Sequence, residues 1–109
     1  MKTYSIVGMN WTKTEDFVAA LKVGTGVTLV REPGNAHDAN AVAVWIDGRK
    51  VGFIPRKTNV ALSQYIDQVG EPWGSPDMAQ DSAVKTEKAI PAKFVRSPNS
   101  GYPQVMVSE

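Results

Sequence analysis

At 109 residues, with 42% hydrophobic and 21% charged side chains, the chain has the size and composition of one globular domain, residues 1–109, and leaves little room for a second core. No apolar run approaches the roughly 20 residues of a membrane span, and no signal-type apolar stretch follows Lys2, so a cytoplasmic protein with no membrane partner is expected. The lack of cysteine excludes disulfides and thiolate chemistry, and twelve Lys/Arg against eleven Asp/Glu (net +1) exclude a global charge signature for a polyanion.

Charge is slightly uneven along the chain. Residues 1–67 carry eight basic and six acidic side chains, residues 68–109 four and five. A nucleic-acid site must therefore be a local patch, placed in the first two-thirds.

Residues 3–9 are β-prone and predict a first strand, with Gly8 at a bend or a close backbone approach. Thr12 and Glu15 have the spacing of a capping box, and Phe17, Ala20 and Leu21 follow at helical spacing, so a helix of about two turns is expected before Gly24 and Gly26. Val27–Val30 predicts a second strand, broken at Arg31-Glu32-Pro33-Gly34-Asn35 because Pro33 cannot donate to a ladder. Ala41–Ile46, the pair Asp47-Gly48 and Lys50–Ile54 predict a tight hairpin, and apolar residues on both faces of its first strand predict burial on both sides.

After Pro55, a second helix is expected from Thr58, with Leu62, Tyr65, Ile66 and Val69 on its inward face and Gly70 closing it. Residues 71–83, with Pro72, Gly74, Pro76, Asp77 and Asp81, predict a long exposed loop. Two β-like segments follow, Val84–Val95, interrupted by Pro91, and Gln104–Ser108, joined by a turn-rich connection from Ser97 to Pro103. The expected order is β-α-β-β-β-α-β-β. Short strands punctuated by Gly and Pro make this a mainly β fold with two short helices, a small partly open barrel rather than a layered parallel sheet.

The segment Arg31-Glu32-Pro33-Gly34-Asn35-Ala36-His37-Asp38-Ala39-Asn40-Ala41-Val42-Ala43-Val44, followed by Val51-Gly52-Phe53-Ile54, resembles the HIRAN family. That family's pattern is a strand ending in Arg-(Asp/Glu)-Pro, then Asn-x-(aromatic/His)-Asp-x-Asn-Ala-(Ile/Val)-x-Val, and then a hairpin into Val-Gly-(aromatic/His)-(Ile/Leu). Val7-Gly8-Met9 and the helix over 59–67 complete the likeness, which covers residues 4–67 and weakens from 71 onward. The resemblance implies an OB-like/SH3-like barrel and a non-catalytic module that binds single-stranded DNA at a free 3′-hydroxyl end, in DNA repair or replication-fork processing. It implies no cofactor, and a helicase- or nuclease-type protein as a further partner.

Carried over residue by residue, the resemblance implies that Trp11 and His37 stack on bases and that Asp38 accepts a hydrogen bond from the terminal hydroxyl. It further implies that Asn35 and Phe53 lie beside the strand and that Arg56 or Lys57 meets phosphate, with Arg31 a further cation. Asn10 departs from the pattern, standing where DNA-binding members carry a basic residue before the first stacking aromatic. The same residues have plainer readings. Asp38 and Asn40 are types that cap turns, Trp11 can staple the first helix, His37 can be a simple loop residue, and Arg49-Lys50 and Arg56-Lys57 can be solvated charge. Trp45 reads as core and Trp73 as a loop anchor or a partner contact. His37 is the only histidine, and neither a metal-ligand spacing nor a nucleophile motif accompanies it, so no metal site and no catalytic residue are expected. The rival function is a protein-interaction or assembly module with the same fold and no DNA site, and RNA binding through the same barrel is a lesser third.

Overall fold

The computed structural model describes residues 1–8, 15–74 and 87–108. In chain order the elements are β1 (Lys2–Ser5), α1 (Glu15–Ala19), β2 (Gly26–Glu32), β3 (Ala41–Ile46) and β4 (Arg49–Phe53), then α2 (Asn59–Val69), β5 (Glu71–Trp73), β6 (Glu87–Arg96) and β7 (Pro103–Val107). The strands pair antiparallel in the order β1-β7-β6-β2-β3-β4, with β5 also on β6. The sheet curls until its ends touch. Just beyond β1, Val7 exchanges two backbone hydrogen bonds of 2.8 Å with Phe53 at the end of β4. The result is the mainly β, partly open barrel with two helices that the sequence predicts. Gly8 follows the bridge at φ +71°, a conformation that favours glycine.

β3 shows why one strand can be apolar throughout. Val42, Val44 and Ile46 enter the main core with Leu29, Phe94, Leu62 and Ile66, while Ala43 and Trp45 join Val30 and Ala89 in a second cluster on the other face. Phe53 and Trp73 cover that cluster, and the Trp73 ring lies 5.1 Å from Trp45 at 60°. This corrects the expected loop at its start. Glu71–Trp73 is a strand paired with residues 87–89, because a Trp at this point gains by covering Trp45, and Pro72 is tolerated on an edge. The rest of that expected loop, from Ser75, lies outside the described residues, as does Thr12 of the capping box.

β6 also runs unbroken through Pro91, contrary to the expected interruption. Its pairing with β5 ends at Ala89 and its pairing with β7 begins at Lys93, so Pro91 falls in the gap, with Thr28 of β2 opposite on the other side. The missing N–H of proline breaks no ladder there. At the far end, the Arg96 guanidinium donates to the carbonyls of Val18 (3.0 Å) and Ala19 (3.2 Å), closing the C-terminus of the short α1.

The inward face of α2 holds Leu62 and Ile66 with Tyr65 packed against the core, as predicted, but it also takes in Asn59 and Ser63 and leaves out Val69. Asn59, Leu62, Ser63 and Ile66 are buried, whereas Val69 is 49% exposed. Gly70 ends the helix with its N–H on the Ile66 carbonyl, where a Cβ would stand 2.5 Å from that oxygen and 3.1 Å from Lys88 Cβ. Gly70→Ala is expected to destabilise by about 1–3 kcal/mol through forced backbone movement, read as a lower urea midpoint at unchanged slope. No described helix is long and apolar enough to cross a membrane.

On the outer face, Glu87 sits near Glu32 and Lys50. Burial first, and then the Glu32 charge, push its carboxyl above the ordinary 4.5, with Lys50 opposing. A raised carboxyl destabilises the fold when ionised, and the penalty vanishes once pH falls below the unfolded value. Glu87→Gln is therefore expected to raise Tm at pH 7, with the gain fading as pH falls through the raised value towards 4.5.

Candidate nucleic-acid interface

The loop from β2 to β3 is held in shape by its own polar side chains. Asn35 donates from Nδ2 to Glu32 Oε1 (3.1 Å), and its Oδ1 accepts the N–H groups of His37 (2.9 Å) and Asp38 (3.2 Å). Asp38 Oδ1 in turn accepts the Asn40 N–H at 2.9 Å, the turn-capping role that its residue type favours. The other carboxylate oxygen, Oδ2, accepts Asn59 Nδ2 at 2.7 Å and lies 3.7 Å from Arg56 Nε. Arg56 Nη2 also donates to the His37 carbonyl at 2.6 Å. The β2–β3 loop is thus fastened to the β4–α2 connection around one carboxylate.

That carboxylate is ionised at neutral pH. The Asn59 amide first and then the Asn40 N–H hold it below its ordinary 3.8; burial pushes the other way by less than either, and the charges of Arg56 and Arg31 add smaller lowering effects. Its side chain is 17% exposed and that of Arg56 76%, while His37 lies exposed beside them.

Arg31 is corrected by the structure. It is 7% exposed and lies beneath the loop, donating from Nη1 to the carbonyls of Ala39 (2.8 Å) and Ala41 (3.3 Å). Its Nε and Nη2 meet the two Asp67 oxygens at 3.1 and 3.4 Å. A guanidinium whose three nitrogens are so engaged is a bracket between β2, the loop and α2, and it is not placed to meet phosphate.

Of the residues singled out from sequence, the structure gathers Asn35, His37, Asp38 and Arg56. Lys57 lines a neighbouring groove of about 750 Å³ together with Arg56, Ser5, Ser97, Ser100 and Tyr102. Phe53 faces the other way, on the outer surface opposite Ala43, with Lys50 Nζ 5.1 Å from its ring. It connects to the loop through Lys50, which pairs with Glu32 at 2.7 Å. Trp11 and Asn10 lie outside the described residues. Asn59 escapes a reading of the sequence, because nothing in a hydropathy pattern marks a buried polar residue on a helix. The one available signal is an Asn at the start of a helix, close after a strand end. Among the described residues no group of three or more His, Asp and Glu side chains could hold a metal ion.

The fold class is that of a small curled β half-barrel, and it has a counterpart among solved structures. A crystal structure of a protein from Lactobacillus plantarum superposes with a TM-score of 0.65 at 22% identity, covering 97% of this chain and 88% of that one. At that identity the likeness is one of fold. No curated protein matches the chain. The HIRAN domain model matches residues 2–73, two-thirds of the sequence, and the chain belongs to that family of DNA-binding modules.

Proposed function

We propose that residues 1–109 form one non-catalytic module that binds single-stranded DNA at a 3′-hydroxyl end. It would serve DNA repair or replication-fork processing in the cytoplasm, beside a helicase- or nuclease-type protein. The observation that carries this is the Asp38 carboxylate, ionised, fixed by Asn59 and the Asn40 amide, and still reachable from solvent. Each carboxylate oxygen has two lone pairs, so a hydroxyl donor can be accepted beside the existing partners. A terminal phosphate at the same place would bring two negative groups together and be repelled.

The neighbours complement that role. The exposed His37 ring, with Trp11 by resemblance, offers stacking worth roughly 1–3 kcal/mol per base without base preference. Arg56 and Lys57 supply cations for phosphate and Asn35 flanks the strand, whereas Phe53, turned to the other face of the sheet, is left out of the contact. Two neutralised phosphates correspond to a slope of about −1.4 in log affinity against log salt for a single strand. A linear oligonucleotide should bind more tightly than a closed circle of the same length and sequence. Equal affinity for the two would defeat end recognition.

The rival, a protein-interaction module without a DNA site, draws support from the net charge of +1 and from the burial of Arg31, which removes a cation from the surface. Its mark would be partner capture or self-association that salt does not weaken, with no affinity for either DNA.

A further inference from the structure

The groove beside Lys57 lies between the end of β1, the β4–α2 connection and the β6–β7 turn. Among the described residues that line it none is acidic, and Arg56 and Lys57 stand in its wall with three serines. Arg56 is shared, since the same side chain pairs with Asp38. Tyr102 also lines the groove, and it lies beyond the residues that the family model matches.

Tyr102 is 37% exposed, yet fixed at both ends. Its hydroxyl donates to the Ile6 carbonyl at 3.0 Å. Its N–H donates to Ser100 Oγ at 3.2 Å, and its carbonyl accepts the Ser97 N–H at 3.0 Å. The turn before it is held by Gly101, at φ +73°, whose N–H reaches the Ser97 carbonyl at 2.8 Å. A lone surface tyrosine with a satisfied hydroxyl is commonly only a plug. This one is a pre-positioned aromatic face in a groove that carries two cations, and one of those cations also belongs to the Asp38 cluster. Stacking on a ring already held in place loses little conformational freedom.

We propose that the groove seats the penultimate nucleotide of the bound strand, its base stacked on Tyr102 and the phosphate joining it to the terminal nucleotide held by Arg56. Lys57 meets the next phosphate outward. The strand then runs 5′ to 3′ from the groove to Asp38. This assignment rests on the 3′-end reading of Asp38, and the two can fail separately.

The test measures binding of a short single-stranded DNA with a 3′-hydroxyl, of the same strand with a 3′-phosphate, and of the hydroxyl strand lacking only the penultimate base. Wild-type protein should lose about 5–150-fold in affinity for the base-less strand, the equivalent of one stacked base. Tyr102→Ala should show that same loss on the intact strand and no further loss on the base-less one, while Tyr102→Phe, which keeps the ring, should retain most of the affinity. The base-less strand tests the wild-type fold, so a Tyr102→Ala protein that fails to fold leaves the assignment open to refutation. A protein that prefers the hydroxyl end but ignores both the missing base and Tyr102→Ala overturns the groove assignment and leaves Asp38 standing. One that is indifferent to hydroxyl and phosphate ends, and is still weakened by Tyr102→Ala, overturns the 5′-to-3′ register and retains Tyr102 only as a stacking face. No binding of any of these strands overturns both.

Discussion

Arg31→Ala is expected to lower stability by about 2–4 kcal/mol, the range for losing hydrogen bonds to a charged group beneath a loop. For a chain of this size that is a fall in Tm of roughly 10–20 °C. The carbonyls of Ala39 and Ala41 lose their buried donor, and β2 loses its tie to α2 through Asp67. Asp67 itself is half exposed, so the charge left behind is screened by water and adds little. Arg31→Lys should recover only part of the loss, because an ammonium cannot bridge two carbonyls and a carboxylate at once. Urea denaturation of the three proteins checks this. Were Arg31 a phosphate contact instead, both variants would be as stable as the wild type and would differ only in DNA affinity.

Asp38→Ala is expected to abolish the preference for a 3′-hydroxyl over a 3′-phosphate end, a change of about tenfold or more in the affinity ratio. The variant removes the hydroxyl acceptor and also the charge that repels a terminal phosphate. Some affinity should survive, because Arg56, Lys57 and the stacking residues remain. Asp38→Asn separates the two effects. It keeps an oxygen for the Asn40 N–H and for a hydroxyl, and loses the repulsion. The wild-type carboxylate also stabilises the fold, since its folded value lies below the ordinary 3.8. That contribution is present above 3.8 and is lost as pH falls through the depressed value, so the stability difference between wild type and Asp38→Ala should shrink in acid. A preference for the hydroxyl end that persists unchanged in Asp38→Ala would remove Asp38 from the site.

Much of the frame is legible in the sequence because it rests on local chemistry. Asp47-Gly48 encodes the β3–β4 hairpin, with Asp47 at φ 52° and Gly48 at φ 76° in the turn. The unbroken apolar run of β3 encodes burial on both faces. The spacing from Arg31 to Val44 encodes the family, and with it Asp38 as the residue around which the loop is organised.

What escaped depends on distant partners. Arg31 reads as a surface cation until Asp67, 36 residues later, is brought against it. Val69 fits a helical apolar stripe, but α2 turns Asn59 and Ser63 inward because Asp38 needs a donor and Ser63 bonds its own helix at the Val60 carbonyl. β5 sits among Pro and Gly, and only the Trp45 ring across the sheet explains why it forms. Tyr102 lies in a turn-rich connection, where its orientation depends on the Ile6 carbonyl 96 residues away.

Fluorescence anisotropy of wild-type protein with one short single-stranded DNA, carrying either a 3′-hydroxyl or a 3′-phosphate, tests the central claim most directly. Binding that weakens with salt and is at least several-fold tighter for the hydroxyl end is the predicted result. Equal affinity for the two ends, or no binding to either at low salt, would contradict it.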